Sequence, residues 1–152
     1  MCTYVDKKAT EAYKKLLRNK KNGKGHAWKL VRVKNGRYAG AFQKYHYYNR
    51  LSENFLSQIQ SIFERNCDSV PEIRDIIGRG AFHCCLTRKD ARSIRDNGTD
   101  MKSCRVVKVI FDVADVVAIG KNHADDCKWW MLDPKKNGAV CVTKFKFADY
   151  RS

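Results

Sequence analysis

A chain of 152 residues, 43% hydrophobic and 11% aromatic, can bury the core of one domain, which excludes a wholly disordered polypeptide. The formal net charge of +15 is unevenly spread: residues 1–50 carry 14 lysines and arginines against Asp6 and Glu11, whereas residues 51–152 carry 17 against 14 acids. A basic third joined to a nearly neutral body points to a polyanionic or acidic partner rather than to a surface tuned for solubility alone. No apolar run reaches bilayer-spanning length, and Lys7 and Lys8 lead into an amphipathic pattern instead of a signal-peptide apolar segment, so a cytoplasmic protein with no membrane partner is expected.

From Asp6 to Lys20 the spacing predicts a helix, with Ala9, Ala12, Tyr13, Leu16 and Leu17 on one stripe and Lys7, Lys8, Lys14, Lys15 and Arg18 on the other. Thr3 or Asp6 is the candidate cap, and Asn22-Gly23 stops the helix. Trp28 to Gln43 reads as a β-hairpin around Asn35-Gly36, a dipeptide suited to the two positive φ angles of a type I′ turn. That turn pairs Lys34 with Arg37, Val33 with Tyr38, Val31 with Gly40 and Lys29 with Phe42. Alternation then assigns Val31, Val33, Tyr38 and Phe42 to the core side, and Trp28, Leu30, Arg32, Ala39 and Ala41 to the other.

Two further helices are predicted, over Leu51–Asn66 with Ser52 as cap and from Ser69 to Gly78. A short strand covers Ala81–Leu86, and Thr87-x-x-Asp90 opens a helix closed by Asn97-Gly98. Strands follow over Cys104–Phe111 and Val116–Ile119, then a long surface loop over 121–138, then a last strand over Ala139–Phe147. From the hairpin onward the order is ββ-αα-β-α-βββ. This implies an α+β protein, one domain over residues 1–152 with a basic part (1–50) and a neutral body (51–152), a mostly antiparallel sheet, and helices packed on one side.

The seven cysteines are odd in number and show no CxxC spacing. Cys84 and Cys85 are strand neighbours that point to opposite faces, which suits structural thiols better than a disulfide framework or a metal site. No cofactor is implied.

The stretch from Lys20 to Arg50 holds no acidic residue and interleaves cations, glycines and aromatics. Lys20, Lys21, Lys24, Lys29, Arg32, Arg37, Lys44 and Arg50 are candidates for neutralising phosphates, His26 lies among them, and Trp28, Tyr45, Tyr47 and Tyr48 are candidates for stacking bases. Tyr45 and Tyr47 equally fit a half-buried strand face with polar tips. Asn22-Gly23-Lys24-Gly25-His26 either cradles a phosphate on backbone amides or is a plain loop tip; it lacks the spacing of a P-loop. Trp129-Trp130 either marks a contact surface or anchors its loop.

An enzyme would rest on His83, Cys85 and His123. Their contexts, His83-x-Cys85 and His123-x-Asp125, lack the paired His-x-Thr/Ser of two-histidine phosphoesterases, and no glutamate follows Glu72 to serve an ADP-ribosyltransferase-like site. A Cys85–His123 nucleophile pair requires the fold to bring the two together. His83 reads better as a structural histidine, and Thr3 after Cys2 argues against an N-terminal nucleophile.

Gly80-Ala81-Phe82-His83, Leu86-Thr87-Arg88, Asp90-Ala91-Arg92, Val107-Lys108-Val109, Asp115 to Gly120 and Ala139 to Phe145, with Met1-Cys2 and the stretch from Trp28 to Tyr38, form a familiar layout. It resembles small accessory proteins of tailed bacteriophages. The resemblance implies an early phage protein in the host cytoplasm that binds or inhibits a host component, of the anti-restriction or anti-CRISPR kind, and it carries no catalytic residue across. Three functions follow in order of support. The first is a non-enzymatic inhibitor that binds nucleic acid or a host nucleoprotein complex. The second is an enzyme acting on a nucleotide or nucleic acid through His83 or His123. The third is a protein-only inhibitor that fits an acidic groove.

Overall fold

A computed structural model describes residues 2–41, 47–55, 65–66, 75–77, 81–98, 100–123 and 138–148. Strand β1 (Cys2–Val5), which has no local sequence signal, leads into α1 (Lys7–Arg18). Asp6 is the cap: its carboxylate accepts from the Ala9 amide at 2.9 Å, satisfying one of the donors that a helix start leaves unpaired. The predicted hairpin forms from β2 (Lys24–Lys34) and β3 (Arg37–Gly40). Asn35 (φ 51°) and Gly36 (φ 74°) are both left-handed, and Lys34 faces Arg37, Val33 faces Tyr38 and Val31 faces Gly40, as expected. The fourth expected pair involves Phe42, outside the described residues.

The segment from Leu51 to Gly78 corrects the sequence reading. Its described residues hold strands, β4 (Asn54–Phe55), β5 (Arg65–Asn66) and β6 (Asp75–Ile77), where the two expected helices would begin or end, and residues 56–64 and 67–74 lie outside the described residues. Short apolar runs fit either period, and here the pairing of β6 with β1 (Thr3 opposite Ile77) decides for strand.

Beyond it, β7 (Phe82–Cys85) and α2 (Arg88–Asn97) follow the expected layout, with the Thr87 hydroxyl accepting from the Asp90 amide at 3.1 Å. Strand β8 (Arg105–Asp112) turns through a short 3-10 helix (Val113–Asp115) into β9 (Val116–His123), which runs past its predicted end at Ile119. The rest of the expected loop, with Trp129 and Trp130, lies outside the described residues. The last predicted strand is two, β10 (Gly138–Val142) and β11 (Lys144–Phe147). They break at Thr143, whose amide donates to the Asp115 carbonyl at 2.9 Å.

Among the described residues these eleven strands join in the order β4-β11-β8-β2-β7-β10-β9-β1-β6-β5, with β3 on β2, and every pairing is antiparallel. The protein is α+β, and β2 of the basic third pairs with β7 and β8 of the neutral body, so the two parts share one sheet. Four strand spacings separate β11 from β10 in that order, about 19 Å if the sheet were flat. Only Thr143 links them, and the chain from Val142 to Lys144 reaches about 7 Å at most. The sheet therefore curls until it has an inside and an outside.

The inside holds the main core: Val31, Tyr38, Phe82, Cys84, Val109, Phe111, Val140, Val142, Phe145 and Phe147. Its rings meet edge to face, Phe82 with Phe145 at 4.9 Å and Tyr38 with Phe147 at 5.1 Å between centroids. Leu17 of α1 joins this cluster, with Ala9 and Tyr13 against it. Ile94 of α2 instead packs with Leu30, Met101, Cys104 and Val106. Leu30 and Val31 are strand neighbours and face opposite ways, so the two helices divide between the faces of the curled sheet rather than sharing one side. That division also explains why Leu30, Ala39 and Ala41, expected on the open side of the hairpin, are buried while Val33 is 39% exposed.

Candidate nucleic-acid interface

Strand β2 sorts the predicted site residues by alternation. Gly25, Ala27, Lys29 and Val31 point inward and are buried. Lys24, His26 and Trp28 point outward beyond the cover of α2: Lys24 and His26 are exposed and Trp28 is half-buried. The pairing with β8 places Asp112 opposite Lys24, Ile110 opposite His26 and Lys108 opposite Trp28. On the next strand Lys146 stands opposite Ile110. One outward face of β2, β8 and β11 thus gathers Lys24, His26, Trp28, Lys108 and Lys146, with the Arg88 guanidinium 5.3 Å from the Trp28 ring centroid.

The balance of charge on this face is positive. Lys24 is 3.9 Å from Asp112, and Lys144 is 3.7 Å from Glu53. Lys108 and Lys146 form no ion pair among the described residues. Partial burial, then the charges of Lys108 and Lys20, hold His26 below the usual histidine value. Lys20 therefore brings the end of α1 and its turn to the rim of the same face.

Several expected residues stand elsewhere. Lys29 cannot reach a phosphate, because its side chain is buried inside the sheet with Nζ donating to the His83 carbonyl at 3.2 Å. The rings of Tyr48, Phe82 and Phe145 surround that ammonium at 5.3, 5.8 and 5.8 Å. Tyr48 likewise belongs to the core, edge-on to Phe82, Phe145 and Phe147. Arg32 is half-buried, its Nε donating to the Ala41 carbonyl at 3.1 Å.

Arg37 stacks on Tyr47 at 4.3 Å and Arg50 on Tyr38 at 4.2 Å. These two pairs mark the hairpin end of β2, roughly 33 Å from Lys24 along an eleven-residue strand. Lys21 is exposed in the turn after α1, and Lys44 and Tyr45 lie outside the described residues.

Two amides of the glycine loop are already engaged within the loop. The Gly23 amide donates to the Lys20 carbonyl at 3.2 Å, and the Lys24 amide donates to Asn22 Oδ1 at 3.1 Å. Gly25 is needed for close packing: a Cβ there would lie 2.7 Å from Phe111 Cε2 and 2.9 Å from Tyr13 Oη.

The register also separates the residues of the enzyme reading. His83 faces Cys141 across β7 and β10, with Nδ1 3.3 Å from the buried Sγ. Cys85 faces Ala139, which faces Gly120, while His123 faces Cys2. Counting strands and residues puts the Cα of His123 roughly 14 Å from Cys85 and roughly 20 Å from His83, too far for a nucleophile pair. Cys84, Cys85, Cys104 and Cys141 are buried and in no disulfide, and burial, opposed by the nearby Lys29, pushes Cys84 above the usual thiol value. Among the described residues no group of three His, Cys, Asp or Glu is placed to hold a metal.

Lys108, Lys146 and Arg88 were missed as binding candidates. Their signal was present: Val107-Lys108-Val109 and Phe145-Lys146-Phe147 each set a lone lysine against two buried neighbours. Fold and surface together define an α+β protein with a curled antiparallel sheet and an open basic strand face. No family model, curated protein or solved structure matches the chain. No helix among the described residues is long and apolar enough to cross a membrane.

Proposed function

We propose that this protein binds nucleic acid, without catalysis, through the outward face of β2, β8 and β11. In the setting implied by its phage-like sequence phrases, that binding blocks a host nucleoprotein complex in the host cytoplasm. One observation supports the reading above the others: Trp28 and His26 share a rigid strand face with Lys24, Lys108 and Lys146, which come from three separate parts of the chain. Cations on paired strands have backbones at fixed spacing, so only their side chains remain to be ordered on the phosphates. A half-buried indole among them offers an apolar surface that a purely electrostatic face would not need.

The test is fluorescence polarisation with labelled RNA and DNA over a salt series. Contacts with about three phosphates predict a slope of log affinity against log salt near −2 for single strands. Lys108→Glu with Lys146→Glu should weaken binding to every nucleic acid and flatten that slope. Absent binding at low salt, or binding indifferent to both salt and the double variant, would sink the proposal. Addition of the protein to host lysate, followed by nuclease treatment, then asks whether a captured host complex stays bound through its nucleic acid.

A further inference from the structure

We infer that the occupant of this face is an unpaired strand, with a base stacked on Trp28 and its phosphates on the flanking lysines; the inference rests on the nucleic-acid reading above. Trp28 sits at the centre of the arrangement. Lys108 lies opposite it on β8 and Cys85 opposite it on β7, and His26 precedes it by two residues on the same face. Arg88, the first residue of α2, places its guanidinium 5.3 Å from the indole centroid. The backbone that carries the ring is paired on both sides, so its place on the face is set before any ligand arrives.

The chemistry of the face selects against a duplex. From β11 to β2 it spans two strand spacings, about 10 Å of pleated surface. A duplex keeps its base faces stacked inside, out of reach of an indole on the outer wall of the curled sheet. Of the helices, α1 is packed into the main core, and α2 packs on Leu30 and Val106 of the outer wall, beside Trp28. Lysines alone would attract both forms through their phosphates. Trp28 gains nothing from paired bases and a full stacking contact from an unpaired one. Base faces and phosphates are common to both sugars, so single-stranded RNA and single-stranded DNA should bind alike.

The experiment compares oligo(dT), oligo(rU) and a duplex of the same length with the full chain at low salt, using heparin as a base-free polyanion. Both single strands should bind about tenfold or more tighter than the duplex, and Trp28→Leu should remove about tenfold of that while leaving duplex and heparin binding unchanged. Trp28→Phe keeps an aromatic face and the packing, so it should retain most of the affinity. It should also lose the ligand-induced tryptophan quench of the parent, a measurement that stands even where Trp28→Leu melts early. Equal affinity for duplex and single strands, or a parent quench unchanged in Trp28→Phe, would overturn the inference and leave general nucleic-acid binding intact. No binding to any nucleic acid would overturn the underlying reading.

Discussion

The ammonium of Lys29 donates to the main-chain carbonyl of His83 from within the curled sheet, framed by three aromatic rings. Burial acts to lower its pKa, while the Tyr48 phenol and the thiols of Cys84 and Cys85 act to raise it, and the balance lies on the raised side. The hydrogen bond to the His83 carbonyl and the surrounding ring faces help to hold the charge there. Lys29→Met fills the same space and removes the desolvation cost. It should leave stability equal or higher, whereas Lys29→Ala should lose about 2–4 kcal/mol by opening a cavity among the rings. Urea unfolding separates the two. A methionine variant as unstable as the alanine one would show that the charge itself holds the core, and in either case nucleic-acid affinity of the folded variants should not change.

Gly23 and Gly25 stand two residues apart for different reasons. Gly23 has φ +61° with open space around its Cα, while Gly25 has no room for a side chain between Phe111 and Tyr13. Burial also pushes the Tyr13 phenol up to about 12, with Cys84 adding to the shift, so it stays a neutral packing group. Gly25→Ala should cost about 1–3 kcal/mol through overpacking. Gly23→Ala should cost about 1 kcal/mol through backbone strain. Reversal of that order in thermal or urea melts would contradict the packing of α1 over β2.

Thr10 ties α1 to β9. Its hydroxyl accepts from the Ile119 amide at 2.9 Å and donates to the Asp6 carbonyl at 2.7 Å, and the Asp6 amide donates to the Ile119 carbonyl at 2.9 Å. The first turn of the helix thereby continues the ladder that β1 ends at Val5. Thr10→Val keeps the shape but leaves a buried amide unpaired, a loss of about 1–3 kcal/mol in unfolding experiments, while Thr10→Ser should retain most of the stability.

His26 gives the interface a pH response. With its folded pKa held below the unfolded value, the unfolded chain takes up the proton first. Any stability it contributes is present above pH ~6.5 and lost as pH falls through that value towards the folded one. The ring is exposed, so this effect in the free protein is small. A bound phosphate offsets the repulsion from Lys108 and Lys20 and favours the imidazolium. Affinity should therefore rise as pH falls from about 7.5 to about 5.5, and His26→Asn should flatten that dependence. Polarisation titrations at several pH values check the sign.

The hairpin was legible because Asn35-Gly36 fixes its own turn and hence the register on both sides. The helix after Thr87 was legible for the same reason, a local cap. The sides of β2 were not. Alternation says that Trp28 and Lys29 face apart, but which of them is inside depends on Phe82 and Phe145, more than fifty residues away. Likewise Lys108 and Lys146 stand out as lone cations between buried neighbours, yet only the pairing of β2, β8 and β11 brings them beside Trp28. The Ile-rich stretch before Gly78 fitted two periods, and a partner strand with no sequence signal chose between them.

The single-residue step at Thr143 also bears on how the protein is made. Strand β2 must wait about eighty residues for β8, and the rings of Phe145 and Phe147 come later still. Until they are added, the half-built sheet shows its apolar inner wall to the cell, and early segments have few local contacts with which to fold alone. Acquisition of the native state should wait for Phe145 and Phe147, as one late event rather than a succession of finished parts.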